Sequence, residues 1–127
     1  MHPHGELIQR GFEAFAAGDL AAISDLLADD IAWHTTGESV LSGDFVGKDA
    51  VFGYFAKLIE VTEGTFHQEI HAILADDEHV VVVTDVSWEK PRPFVGNDVF
   101  VWHVKDGKAT ECWAVQKDQA ASAAALA

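Results

Sequence analysis

The sequence predicts an α+β fold: three N-terminal helices packed on the concave face of a curved, mostly antiparallel sheet that closes into a cone. Three observations carry this expectation. Apolar residues recur at helical spacing up to about Val61 and at every second position from Thr65 onward. The helices come as a block before most of the strands, which is an α+β order and not an alternating βαβ one. The 127 residues are 49% hydrophobic and include four Trp and eight Phe, enough for one domain with a sizeable core.

Each element follows from local pattern. Gly5 to Ala17 carries Leu7, Ile8, Phe12 and Phe15 on one helical face, and Gly18 supplies a C-terminal stop. Asp19 can cap a second helix bearing Leu20, Ile23, Leu26 and Leu27, ending near Ala28-Asp29-Asp30. Ile31 to Thr36 reads as a short strand, and Gly37 to Gly47 as a polar loop. Asp49 to Val61 forms the third helix, burying Val51, Phe52, Tyr54, Phe55 and Leu58. Four strands follow: Thr65 to Leu74, His79 to Glu89, Phe94 to Val104 and Ala109 to Lys117. One domain spans 1–127, with an ordered core of 5–119; residues 1–4 and the Ala-rich 120–127 are expected to be loose.

Composition narrows the function. Eight Lys plus Arg against 21 Asp plus Glu give a net charge of −13, which repels a phosphate backbone or an anionic membrane. Nucleic acid and membrane are therefore excluded as expected partners. The lone cysteine, Cys112, cannot form an intrachain disulfide, and the chain shows neither a long apolar run nor a leader-like start. A cytoplasmic protein without a cofactor is the expectation.

Several short motifs, in this order and spacing, carry a resemblance. They are Ala17-Gly18-Asp19, Ala28-Asp29-Asp30, Trp33-His34, Leu41-Ser42-Gly43-Asp44-Phe45, Gly47-Lys48-Asp49-Ala50-Val51, Asp106-Gly107-Lys108 and Glu111-Cys112-Trp113. Over about Leu7 to Gln119 the chain resembles the SnoaL-like branch of the nuclear-transport-factor-2-like superfamily, which includes ketosteroid isomerases, limonene epoxide hydrolases and polyketide cyclases. The resemblance implies an apolar pocket between helices and sheet, and pairing of two subunits through their sheets. It implies little about activity, because chemistry resides in the site and not in the scaffold.

The last hairpin decides which side chains face that pocket. A three-residue loop, Lys105-Asp106-Gly107, is favoured and sets Val104 opposite Lys108, Trp102 opposite Thr110 and Phe100 opposite Cys112. Asp98, Phe100, Trp102, Cys112, Ala114 and Gln116 then share the inner face, and Val99, Val101, His103, Glu111, Trp113 and Val115 the outer one. The rival two-residue Asp-Gly turn shifts the second strand by one and turns Trp113 inward. On the favoured register the expected ligand-binding lining is Phe15, Trp33, Thr35, Tyr54, Phe55, Phe100, Trp102, Cys112 and Gln116. The same aromatics could instead simply fill a core. Trp113 with Val99 and Val101 marks the outer face as a homodimer surface.

The candidate proton carriers are few. Positions that the resemblance makes catalytic in ketosteroid isomerases hold Gly11, Thr35 and Phe100, and those of the epoxide hydrolases fall at Ala114 and near Thr84 and Val86. Asp98 remains, in step with Phe100 and Trp102, either as a desolvated acid/base or as a strand-start residue. Asp118 shares the parity of Gln116, and the polyketide cyclases use an acid on the corresponding strand. His34 is either a rim base or, by simple alternation after Trp33, a surface residue. His67, Glu69 and His71 share one strand face but are too widely spaced to hold a metal unaided, so no metal site is expected. Two functions stay open: acid/base catalysis on a small apolar cyclic compound, or a pocket or dimeric module that binds without turnover.

Overall fold

The computed structural model describes residues 1–127. Its elements are α1 (Pro3–Ala17), α2 (Leu20–Leu26), β1 (Leu27–Thr35), β2 (Gly43–Val46), α3 (Lys48–Val61), β3 (His67–Ala75), β4 (His79–Trp88), β5 (Phe94–Lys105), β6 (Lys108–Gln116) and α4 (Gln119–Leu126). The strands form one sheet of order β2-β1-β6-β5-β4-β3, antiparallel throughout except that β1 runs parallel to β6. Against its inner face lie α1 across β3 and β4, and α3 across β1 and β2. The α+β cone is as expected. No helix is long and apolar enough to cross a membrane.

Local chemistry explains the helix ends. Gly18 adopts φ 70° and closes α1 by donating its N–H to the Ala14 and Phe15 carbonyls. The Asp19 side chain caps α2 by accepting from the Ala22 N–H at 3.0 Å. Gly47 enters α3 at φ 89°, a conformation that a side chain would strain.

Five expectations need correction. Residues 1–4 are not loose: α1 starts at Pro3, and the His2 ring reaches Asp77 at 3.1 Å. Residues 120–127 are not loose either, since α4 buries Ser122, Ala125 and Leu126. Its alanines lack any contrast between faces, so no periodicity announced it. The stretch Gly37 to Gly47 is not all loop, because β2 pairs with β1, Trp33 opposite Phe45. Ser-Gly-Asp composition concealed a strand that only a tertiary partner stabilises. Fourth, α2 ends at Leu26 and β1 begins at Leu27 instead of Ile31, with Asp29 and Asp30 inside an irregular register against β6.

The closing hairpin opens with the rival two-residue turn and departs from both anticipated registers only beyond it. Asp106 and Gly107, at φ 52° and 74°, make a two-residue turn that sets Lys105 opposite Lys108. One step on, the register slips between His103 and Val104, leaving Thr110 unpaired as a bulge. Beyond it Trp102 faces Cys112, Phe100 faces Ala114 and Asp98 faces Gln116. Turn and bulge each shift the register by one, so beyond the bulge the residues keep the expected face although their partners move by two. Trp102 and Phe100 are buried inward at 7% exposure each, and Trp102 meets Phe12 of α1 at 6.2 Å.

Candidate active site

The cone encloses a cavity of about 100 Å³, a size that accepts roughly one aromatic ring. α1 contributes Phe12 and Phe15, β1 Trp33 and Thr35, α3 Tyr54 and Phe55, β5 Asp98, Phe100 and Trp102, and β6 Ala114 and Gln116. At its centre Trp33 packs on four rings: Tyr54 at 5.5 Å, Phe55 at 5.2 Å, Phe100 at 6.2 Å and Trp102 at 5.3 Å. Period-two alternation aims these strand residues inward, and the helical i, i+1 pair Tyr54-Phe55 closes over them. Phe15 ends the cluster against Phe55 and Phe66, at 5.2 and 6.3 Å.

Two polar features stand out in this mostly apolar lining. The Trp33 indole N–H donates to Thr35 Oγ1 at 3.1 Å, fully buried. Tyr54 lies beside them, and burial pushes its hydroxyl up to about 12 against the opposing hydrogen bonds of Thr35 and Trp33. It stays a neutral donor at any physiological pH. The second feature is Asp98, whose carboxyl has no hydrogen-bond or ion-pair partner in the protein; Thr84 Oγ1 donates only to its backbone carbonyl, at 3.0 Å. Desolvation raises its pKa from 3.8 to about 6. A carboxyl so placed changes protonation close to neutrality.

Gly11, Thr35, Phe100 and Ala114 all line this same cavity. None of these four positions, which the resemblance makes catalytic in relatives, carries a catalytic group here, and Thr84 and Val86 do not line the cavity. Asp98 lies two residues from Phe100 on the same face of β5.

Three expected site residues lie elsewhere. Cys112 is wholly buried beneath the lining and does not reach the cavity; burial pushes its thiol well above the ordinary value. Asp118 is exposed, and its carboxylate caps α4 by accepting from the Ala121 N–H at 3.0 Å. The strand parity ended at Gln116, so extrapolating it to Asp118 failed. His34 points to the outer sheet face, stacked on Trp113 at 5.3 Å. Its Nδ1 meets Asp44 Oδ1 at 2.6 Å and its Nε2 meets Glu111 Oε2 at 2.7 Å. Two acceptors require both ring nitrogens to donate, which only the imidazolium does. Hydrogen bonding to Asp44 and then Glu111 raises its pKa above 6.5. This contact stabilises the fold fully below that value and is lost as pH rises through the raised one. Glu111→Gln is expected to bring the His34 titration back toward 6.5, followed by imidazole proton shifts in NMR. A midpoint that stays put would contradict the assignment.

His67, Glu69 and His71 line the exposed side of edge strand β3, and no cluster of three or more His, Cys, Asp or Glu forms that could hold a metal. Sequence reasoning missed Phe12, Phe66, Gln68 and Trp88, which complete the lining, as do Ser39 and Leu41 before β2 and Ser122 and Leu126 of α4. The alternation of β3 and β4 could have supplied Gln68 and Trp88. Nothing local signalled Ser39 or Ser122.

Comparison with known proteins agrees with this architecture. The SnoaL-like domain family matches residues 8–112. The uncharacterised protein Rv0034 of Mycobacterium tuberculosis is 30% identical over 77 residues, 61% of this chain and 59% of that protein. The chain thus spans about three fifths of the curated relatives it matches. Bal32a, from a soil-derived mobile gene cassette, superposes with a TM-score of 0.91 at 26% identity, covering 96% of this chain and 95% of that one. TerC, crystallised with polyporic acid, shares the fold at a TM-score of 0.84 and 20% identity, covering 95% of each chain.

Proposed function

This chain belongs to the SnoaL-like domain family, within the nuclear-transport-factor-2-like superfamily, and on that premise we propose that its cavity binds a small, largely apolar ring compound and moves a proton on it through Asp98. The observation that carries the proposal is the unpartnered Asp98 carboxyl, held at about 6 among aromatic rings. As a carboxylate it takes a proton from carbon next to a ring carbonyl, and as an acid it returns that proton to another carbon. Tyr54, a neutral hydroxyl donor in the same cavity, is the group available to a developing oxyanion. TerC, which shares the fold, was co-crystallised with a small organic compound, polyporic acid, in keeping with this reading.

A second reading is binding without turnover. It is favoured by one observation: Thr35, where the resemblance places a general base, already spends its Oγ1 on the Trp33 indole. A thermal-shift screen of small ring ketones and lactones addresses both readings, because a ligand stabilises only what it binds. Binding with turnover that Asp98→Asn abolishes supports catalysis; binding with turnover unaffected by that change removes Asp98. No stabilisation by any ring compound counts against the cavity itself.

Self-association belongs to the same proposal. On the outer sheet face Val99, Val101, Trp113 and Val115 are only half-buried in the single chain, forming an apolar patch suited to a second copy. Trp113→Glu is expected to convert a dimer to a monomer in analytical ultracentrifugation. A wild-type monomer, or a variant dimer, would refute that interface. Cytoplasmic residence completes the reading, since buried Cys112 requires no oxidising surroundings.

A further inference from the structure

Two indole nitrogens, those of Trp88 and Trp102, are buried and have no hydrogen-bond partner. Both residues line the cavity, at 4% and 7% exposure. A donor buried without an acceptor is unfavourable, so each N–H needs a physical reason. Trp102 has one nearby. Its ring meets those of Trp33 and Phe12 edge to face, at 84° and 75°, an arrangement in which an N–H can rest against a π face. Trp88 lacks this outlet. Its ring lies nearly parallel to its neighbours, 21° from Phe94 at 4.4 Å and 25° from Phe66 at 6.4 Å. An indole N–H lies in the ring plane, so it reaches neither of those faces.

The indole is held in place by the strands around it. Trp88 ends β4 opposite Phe94 of β5, and Phe66 stands just before β3, so three rings make a row across the sheet. Phe94 folds over Gly96, where an added Cβ would lie 2.6 Å from the ring. Glycine at 96 thus makes room for the stack. With rings against both of its faces, the indole meets the cavity by its edge, and the N–H belongs to that edge. Gln68, half-buried on β3 two residues beyond Phe66, also lines this end of the cavity.

We propose that Trp88 is a specificity-determining residue, its indole N–H donating to an acceptor oxygen on the compound that fills the cavity. This inference rests on the reading that the cavity holds a ring compound. Asp98 stands four residues from Phe94 on β5, roughly 13 Å along the strand, so donor and proton carrier meet different ends of one occupant. Trp88 fixes which way round the compound lies.

The test uses two probes of matched shape, acetophenone and α-methylstyrene, which differ only in C=O against C=CH₂. Nitrogen-15 NMR of the wild type follows the four indole N–H signals, with that of Trp88 assigned, as each probe is added. Acetophenone is expected to move the Trp88 proton downfield, and α-methylstyrene to leave it nearly in place. In Trp88→Phe, acetophenone binding is expected to weaken roughly fivefold relative to α-methylstyrene. Should that variant fail to fold, the wild-type spectra decide alone. Acetophenone that binds without moving the signal, a shift common to both probes, or binding of α-methylstyrene only would overturn the role of Trp88 and leave the cavity reading intact. Equal weakening of both probes in the variant would do the same. If neither probe binds the wild type, that reading falls, and this inference with it.

Discussion

Asp98→Asn is expected to raise stability near neutral pH by roughly 2–3 kcal/mol while it removes proton transfer in the cavity. The carboxyl ordinarily titrates at 3.8 and in the fold at about 6, because the cavity withholds water from the charged form. The folded state therefore holds this proton more tightly than the unfolded chain does. Its stabilising contribution is complete below 3.8 and lost as pH climbs through about 6. Asparagine, nearly isosteric and uncharged, avoids that loss. Thermal melts of both proteins across this range should diverge upward from the acid end, the variant gaining roughly 5–10 °C by neutrality. Parallel curves would mean that the carboxylate is solvated after all.

Trp33→Ala should act in the opposite direction and more strongly, destabilising by roughly 3–5 kcal/mol. Trp33 is 4% exposed and touches rings from β5 and α3, so its loss uncouples the sheet from the helix packed on it. It also leaves Thr35 Oγ1 without its donor. Urea unfolding should show an earlier midpoint, with Trp33→Phe falling between. A loss under about 1 kcal/mol would mean that the aromatic cluster collapses around the gap.

The part of the cavity contributed by β5 and β6 was legible because it depends on parity, and parity survives errors of register. Asp98, Phe100 and Trp102 alternate inward whether Phe100 faces Cys112 or Ala114. The turn was misread because Asp106-Gly107 satisfies a two-residue hairpin that needs positive φ at both positions, and the bulge that restores the faces leaves no local mark. Other features depended on contacts distant in sequence. β2 becomes a strand only against β1, and His34 is fixed by Asp44 and Glu111 from two different strands. Cys112 shared the right face but lies under its neighbours, a matter of depth that alternation cannot report. The last helix needed the cavity to give its Ser122 face meaning.

The parallel pairing of β1 with β6 has a consequence for biogenesis. Ala32 to Thr35 must wait for Glu111 to Ala114 before their inner edge is satisfied. A polypeptide emerging from the ribosome therefore exposes its tryptophan-bearing strand, and the helices that need it, until nearly the whole chain has been made. Such distant pairing slows collapse to the native state. During that interval the strong negative charge, by mutual repulsion between nascent chains, guards against clumping.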